Sequence, residues 1–244
     1  YDDGVYYGAA TAFNHGLIPY KDFVMVHPPG ILLILSPFTW LAHITSDAIG
    51  LSVARIFFML IGATSAYLIY RIGRRYDRTT GVIAALIYSV WMPVVRIERT
   101  PYLEGVGSIA LLIALYLLPK ANTAWRRVLI SGVVLGLAVS TKLWFAVPVV
   151  IIFLWLALSK QFKSAFIFGV SSLATFGLVI SWFWYKAGSR FWELILTAQL
   201  NRGGNNVGVF SRIQQIFNFT SFAFLNNKKL QFAVGVALLT LLII

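Results

Sequence analysis

Cysteine is absent from this chain of 244 residues, and only 11% of its side chains are charged. Without cysteine there is no disulfide framework, and the sequence does not reveal the redox compartment. The sequence also contains no zinc-ligand spacing, no P-loop and no dinucleotide-binding fingerprint. These absences remove the common nucleotide-binding and structural-zinc classes from consideration.

Apolar residues take the place of the missing charge. Hydrophobic residues make up 59% of the chain, and the mean hydropathy is +0.80. A soluble domain of this length needs more charge to cover its surface. The 8 Trp, 11 Tyr and 19 Phe residues suit aromatic belts at two membrane interfaces. We therefore expect an all-α fold, a polytopic transmembrane helical bundle.

The net charge of +12 does not indicate a nucleic-acid partner. The basic residues lie at the ends of apolar runs, as in loops that flank membrane helices. No basic stripe with interleaved aromatic residues lies on a soluble-looking segment.

The apolar runs predict the membrane spans. Clear candidates are Leu51–Tyr70, Thr80–Val95, Gly105–Leu118, Ser164–Trp184 and Leu230–Ile244. As one helix, Val128–Ser159 would be about 48 Å long, too long for a hydrocarbon core of about 30 Å. Two short passes, with Lys142 at the tip of the hairpin, fit better.

The positive-inside rule then orients the chain. Three basic loops fall on one side only if 128–159 crosses twice: Arg71 to Arg78, Lys120 to Arg127, and Lys160 to Lys163. That side is expected to be cytoplasmic. Seven of the eight acids then lie on or near the outer side, which suggests a site there.

We expect one domain over 1–244, as part of a longer chain. It comprises a first outer loop (1–50), transmembrane helices (51–184), a later outer loop (185–229) and a further helix (230–244). In the first loop, Asp3 to His15 predicts a juxtamembrane helix that stops at Gly16. Pro29–Ala42 predicts a second helix, re-entrant or interfacial. If this helix crossed fully, the topology would invert.

Several polar residues suit chemistry, each with a structural alternative. Asp2 and Asp3 are a candidate general base and its partner, or a helix N-cap. His27 is either aimed at a cavity by the prolines after it or is a structural hydrogen-bonding group. Lys142 either contacts a phosphate or snorkels to the membrane surface.

Two further segments leave the same choice open. Arg96 and Arg99 suit phosphate binding, and Glu104 heads an apolar helix where an acid is a functional candidate. The alternative is an internal ion pair of Glu98 or Glu104 with an arginine. The segment from Phe191 to Gly204 predicts an interfacial amphipathic helix, in which Arg202 meets an anionic head group or the helix is a plain anchor.

Taken together, these segments resemble the GT-C glycosyltransferases, which use polyprenyl-phosphate sugars. The closest branch is similar to the bacterial relatives of protein O-mannosyltransferases and lipid A aminoarabinose transferases. The resemblance covers all 244 residues in family order and rests on the segments Asp2 to Tyr6, Pro19 to Phe23, His27 to Gly30, Arg99 to Glu104, Gly136 to Lys142, and Phe191 to Arg202. Many members have Asp-Glu where this chain has Asp2-Asp3.

The resemblance implies an inverting glycosyl transfer at the extracytoplasmic face of the plasma membrane. Asp2 would act as general base, with Asp3 supporting it. The expected roles of the other residues are donor phosphate binding by Lys142, Arg99, Arg96 and Arg202, and substrate positioning by Glu104, His27 and Tyr6.

The implied partners are membrane lipid, a polyprenyl-phosphate sugar donor, and a lipid, glycan or protein acceptor. No cofactor or metal site is indicated, although metal dependence varies in the superfamily and a divalent cation stays open. The alternatives are a transporter or lipid flippase, which would show intramembrane charge near the midplane, and a non-catalytic scaffold.

Overall fold

The computed structural model describes residues 2–118 and 124–200, and within these ranges the chain forms helices and no strand. The helices are α1 (Asp2–Asn14), α2 (Gly30–Ile44), α3 (Asp47–Gly73), α4 (Arg78–Val90), α5 (Met92–Glu98), α6 (Leu103–Leu117), α7 (Trp125–Thr141), α8 (Ala146–Leu158), α9 (Phe162–Ala187), α10 (Ser189–Trp192) and α11 (Ala198–Leu200). A 3₁₀ turn, Leu143–Phe145, precedes α8, and a π-helical turn, Glu193–Thr197, separates α10 from α11.

The apolar helices form a membrane bundle, which confirms the expected fold class. Among the described residues, α3 and α9 are each long and apolar enough to cross a membrane alone, with mean hydropathies of 1.7 and 1.8. Helices α4 and α5 reach that length only together, with a bend of 68° between them. The shorter apolar helices are Gly30–Ile44, Leu103–Leu117 and Leu143–Leu158.

The expectation of one continuous span over Thr80–Val95 is wrong. The helix breaks at Trp91, whose ψ of 106° is extended, and a new helix starts at Met92. Pro93 explains the break, because proline has no N–H to donate and its ring clashes with the carbonyl four residues earlier. The residue is therefore tolerated only in the first turn of the new helix α5.

The chain turns back at Lys142, as the length argument predicted. A Cβ added at Gly132 would lie 2.6 Å from the carbonyl oxygen of Phe168, and one at Gly136 would lie 2.5 Å from that of Ser172. Both contact positions thus move four residues towards the C-terminus together, from 132 to 136 on α7 and from 168 to 172 on α9. The two helices therefore run parallel. Helix α8 between them must therefore run in the opposite direction, which gives a helical hairpin with its turn at Lys142; that each arm crosses the membrane stays a prediction.

An arginine–tyrosine cluster joins the end of α3 to the end of α6. Arg71 donates hydrogen bonds from Nη1 to the hydroxyl of Tyr67 at 2.7 Å and from Nη2 to that of Tyr116 at 2.8 Å. The guanidinium of Arg75 lies 4.8 Å from the ring centroid of Tyr116. Helix α3 therefore runs beside α6, with its basic C-terminal end far from the N-terminal loop.

The first loop forms the two predicted helices. Helix α1 ends next to Gly16, whose φ of +88° is the left-handed conformation that closes helix C-termini. Helix α2 begins directly after Pro28 and Pro29. Whether α2 is re-entrant or interfacial stays a prediction.

The later outer segment is less regular than expected. The predicted single amphipathic helix from Phe191 is interrupted by the π-helical turn before α11. The predicted stop at Gly203 and Gly204, the rest of the outer loop to 229 and the predicted helix over 230–244 lie outside the described residues.

Candidate active site

The hairpin between α7 and α8 positions Lys142. Its backbone is extended (φ −153°, ψ 123°), which ends α7 and starts the 3₁₀ turn. Helix α6 packs directly against that turn, because a Cβ added at Gly107 would lie 1.6 Å from the ring of Phe145. This close approach brings Glu104, one turn earlier on α6, opposite Lys142.

Lys142 and Glu104 form an ion pair across the two helices, with Nζ donating to Oε1. The two side chains remain partly accessible, at 24% and 40% respectively. The sequence alternative of an ion pair between an acid and an arginine here is wrong. Glu104 binds a lysine, and the buried Glu98 accepts a hydrogen bond from the hydroxyl of Tyr88.

A buried tyrosine fixes the loop that carries His27. Tyr20 adopts a left-handed φ of +68° and is fully buried, with its ring 4.8 Å from that of Phe191. Its hydroxyl donates a hydrogen bond of 2.7 Å to the carbonyl oxygen of His27. Burial raises the pKa of the Tyr20 phenol, so it stays a neutral donor at physiological pH. The His27 ring lies 6.0 Å from that of Tyr6.

The start of α2 rests on the last turn of α7. A Cβ added at Gly30 would lie 2.5 Å from Oγ and 2.6 Å from the carbonyl oxygen of Ser140. Only glycine permits this approach, and Ser140 lies two residues before Lys142. The contact therefore brings the His27 loop to the hairpin lysine.

These elements enclose a cavity of about 610 Å³. This volume lies within the range of ligand pockets. Its polar lining residues are Tyr6, His27, Tyr102, Glu104 and Lys142, and its apolar ones are Val5, Ala9, Val24, Met25, Val26, Ile97 and Trp144. The structure therefore brings four of the sequence-predicted site residues together, from four separate segments.

A second cavity, of about 280 Å³, adjoins the first. The two share Val26, His27, Lys142 and Trp144, and the second adds only apolar residues: Pro28, Leu143, Val147, Ile195, Leu196 and Leu200. Lys142 therefore stands between a cavity of mixed lining and a cavity whose additional lining is apolar.

Helix α1 presents two different faces. Val5, Tyr6 and Ala9 line the large cavity, whereas Asp3 and Tyr7 are buried on the other face. Val5, Tyr6 and Ala9 follow position 2 by three, four and seven residues. This spacing places position 2 on the same face of the helix as these cavity residues. Positions 2 and 3 thus belong to different helical faces.

Asp3 pairs with an arginine that the sequence analysis did not single out. The Nη2 of Arg55 donates a 2.7 Å hydrogen bond to Oδ2 of Asp3, which is 5% exposed. The Arg55 guanidinium holds the pKa of Asp3 well below its usual value. One signal was available, since a lone ionisable residue within an apolar helix is a functional candidate.

The other predicted cations are not brought to the cavity. Arg96 and Arg99 are exposed on and just after α5 and do not line it, although Ile97 between them does. Arg202 lies outside the described residues. Tyr102 and Trp144, which do line the cavity, were not predicted, and no local pattern marks them.

No group of three or more His, Asp or Glu residues within the described ranges is arranged to hold a metal. The use of a divalent cation stays a prediction.

A comparison with protein-family models identifies the family of the chain. A family model described as dolichyl-phosphate-mannose-protein mannosyltransferase matches residues 26–185, well over half of the chain. The chain belongs to this family. It is a membrane-embedded glycosyltransferase of the GT-C type, a class that uses lipid-linked sugar donors. Membership favours the glycosyltransferase interpretation over the transporter, the flippase and the scaffold.

The matched segment contains His27, Glu104 and Lys142 but begins after Asp2 and Asp3. The family assignment therefore does not rest on the acid pair. No curated protein and no solved structure matched the chain in the same comparison.

Proposed function

We propose that the chain transfers a sugar from a polyprenyl-phosphate donor to an acceptor hydroxyl, with inversion at the anomeric carbon. One observation carries the proposal. Lys142 stands where the large cavity, which contains the polar side chains of Tyr6, Tyr102 and Glu104, meets a smaller cavity whose additional lining is apolar. A lipid phosphate sugar has the same order of groups: a sugar, an anionic phosphate and an apolar chain.

In this arrangement the sugar lies in the large cavity and the first isoprene units lie in the small one. The phosphate between them contacts Lys142, whose ammonium is a compact charge on a flexible stem. Arg96 and Arg99 are exposed outside the cavity, so we assign the phosphate to Lys142 rather than to them. Tyr6 and His27 then contact the sugar.

Asp2 is the proposed general base. The acceptor oxygen attacks the anomeric carbon, the bond from that carbon to the phosphate oxygen breaks, and its electron pair stays on the phosphate. The acceptor proton passes to the carboxylate of Asp2. Lys142 stabilises the growing negative charge on the leaving group.

Asp3 is unsuited to the same role. Its carboxylate is buried and held by Arg55, which lowers its pKa and therefore its basicity. We propose that this pair fixes the first turn of α1 and so positions Asp2.

We propose that the cavity opens on the extracytoplasmic side of the plasma membrane. The arginines at the far end of α3 and α7 support this orientation, since basic loops stay in the cytoplasm. The acceptor is a lipid, glycan or protein on that outer side.

An Asp2→Asn variant of the full-length protein tests the proposed chemistry. We expect turnover of a radiolabelled polyprenyl-phosphate sugar, selected from a donor panel, to fall by about 10²–10⁴-fold, because Asn cannot accept the proton. Binding of the donor should be unchanged.

Asp47→Asn is the matched control, because Asp47 is exposed at the start of α3 and does not line the cavity. This variant should retain activity. Full turnover by Asp2→Asn would overturn the assignment of the base. Failure of every donor in the panel to react with the wild-type protein would overturn the proposed reaction.

A further inference from the structure

The cation of the large cavity is already paired. Among the described side chains that line this cavity, Lys142 is the lysine and Glu104 is the acid, and they bind each other. A donor phosphate that enters the cavity therefore meets an ammonium group already neutralised by a carboxylate. Two anions at one ammonium group repel each other at short range.

We propose that Glu104 is an exchangeable counter-ion: the donor phosphate displaces its carboxylate from Lys142, and the carboxylate takes Lys142 back when the product leaves. The inference rests on the proposed function, since it assumes that Lys142 binds the phosphate. It assigns Glu104 a role in substrate exchange, and the residue takes no part in proton transfer.

The exposure of the pair makes this exchange feasible. A buried pair would lose several kcal/mol if one partner left, because the other charge would be stranded. Here the side chains of Lys142 and Glu104 are 24% and 40% exposed, so neither charge is fully enclosed by protein when the other is released. Ion pairs contribute less to stability as their exposure increases. A phosphate can therefore replace the carboxylate at little cost.

The charges of substrate and product give the exchange a direction. The donor is a phosphodiester with one negative charge, whereas the product is a phosphomonoester with about −1.5 to −2 at neutral pH. The product therefore binds Lys142 more tightly than the donor does. Since Glu104 competes with both, it weakens product binding and shortens the residence time of the product.

Neutralising Glu104 tests the inference. The full-length protein in nanodiscs is titrated with farnesyl phosphate, a fifteen-carbon isoprenoid phosphomonoester, and binding is measured by calorimetry. We expect Glu104→Gln to bind this probe about fivefold more tightly than the wild type, which corresponds to about 1 kcal/mol. Farnesol, which lacks the phosphate, should bind both proteins equally.

Two variants serve as controls. Glu193→Gln removes the same charge from an exposed residue that lines neither cavity, and its affinity for farnesyl phosphate should equal that of the wild type. Glu104→Asp keeps the charge on a shorter stem, so its affinity should fall between those of the wild type and Glu104→Gln. The Asp variant also supplies the measurement if the Gln variant does not fold.

The outcomes separate this inference from the proposed function. If Lys142→Gln binds farnesyl phosphate as tightly as the wild type, Lys142 is not the phosphate site and the proposed function fails. If Lys142→Gln weakens binding but Glu104→Gln leaves it unchanged or weakens it, the phosphate site stands and the counter-ion exchange is wrong. Tighter binding by Glu193→Gln as well would show a general charge effect and would also overturn it.

Discussion

The guanidinium of Arg55 donates a 2.7 Å hydrogen bond to the carboxylate of Asp3, and this contact joins residues 52 positions apart. It anchors the first turn of α1 to the membrane helix α3. Asp3 is nearly buried, whereas the Arg55 side chain is 44% exposed. The contact therefore fixes the acid, while the arginine keeps part of its hydration.

Removing the arginine should destabilise the protein in a pH-dependent way. At pH 7, Arg55→Gln should lower the free energy of unfolding by about 1 kcal/mol, because Asp3 loses its charged donor. Because the pKa of wild-type Asp3 is lowered, its pairing with Arg55 contributes fully to the free energy of unfolding above the ordinary carboxyl pKa. That contribution is lost only as the pH falls through the lowered pKa.

The difference between wild type and Arg55→Gln should therefore narrow as the pH falls from 4 to 2, as measured by thermal unfolding in detergent. Arg96→Gln is the control, since Arg96 is exposed. This variant should unfold like the wild type at both ends of the pH range. A constant difference across this pH range would show that Arg55 stabilises the protein without acting on Asp3.

The buried acid Glu98 predicts a second effect. Its carboxylate accepts a hydrogen bond from Tyr88 next to Gly62, where α5 contacts α3. Tyr88→Phe should lower the free energy of unfolding by about 1–3 kcal/mol, because a buried acceptor loses its donor. Tyr76→Phe removes a hydroxyl from a residue that is 85% exposed and should have no effect. Equal stability of the two variants would contradict the contact.

The contact of Gly30 with Ser140 predicts a steric effect on the site. Gly30→Ala should push the start of α2 away from the hairpin and lower the free energy of unfolding by about 1–3 kcal/mol. Donor binding should weaken too, since His27 moves with the loop. The measurements are thermal unfolding and titration with farnesyl phosphate.

Gly8→Ala is the matched control for this substitution. A Cβ at Gly8 would meet nothing within 4 Å, and alanine favours a helix over glycine by about 1 kcal/mol. This variant should be as stable as the wild type or more so. A Gly30→Ala variant with wild-type stability and binding would show that the loop tolerates displacement.

The small apolar cavity predicts a dependence on the length of the lipid chain. Leu196 lines it, and Leu196→Asn should weaken binding of farnesyl phosphate about 5–10-fold, since a buried CH₂ group contributes about 0.8 kcal/mol. Binding of a five-carbon isoprenoid phosphate should change less. Leu17→Asn, at a residue 48% exposed in the loop after α1 that lines neither cavity, is the control. Equal losses for both chain lengths would place the isoprenoid elsewhere.

The sequence by itself determined the helical membrane class, the two helices of the first loop and the hairpin at Lys142. Each depends on the length of an apolar run or on a local glycine or proline, and such signals lie within a few residues of the structure they specify. Pro93 is also a local signal, and it indicates the helix break at Trp91. The span prediction did not include this break, because the apolar run continues across it.

Tertiary structure alone decided the partners of the charged residues. Glu104 was expected to pair with an arginine if it paired at all, and it binds Lys142, 38 positions away. Asp3 was expected to support Asp2 in catalysis, and its carboxylate accepts a hydrogen bond from Arg55. These pairings follow from how closely the helices pack at Gly107 and Gly30, and a contact between distant segments leaves no periodic or local trace in a single sequence.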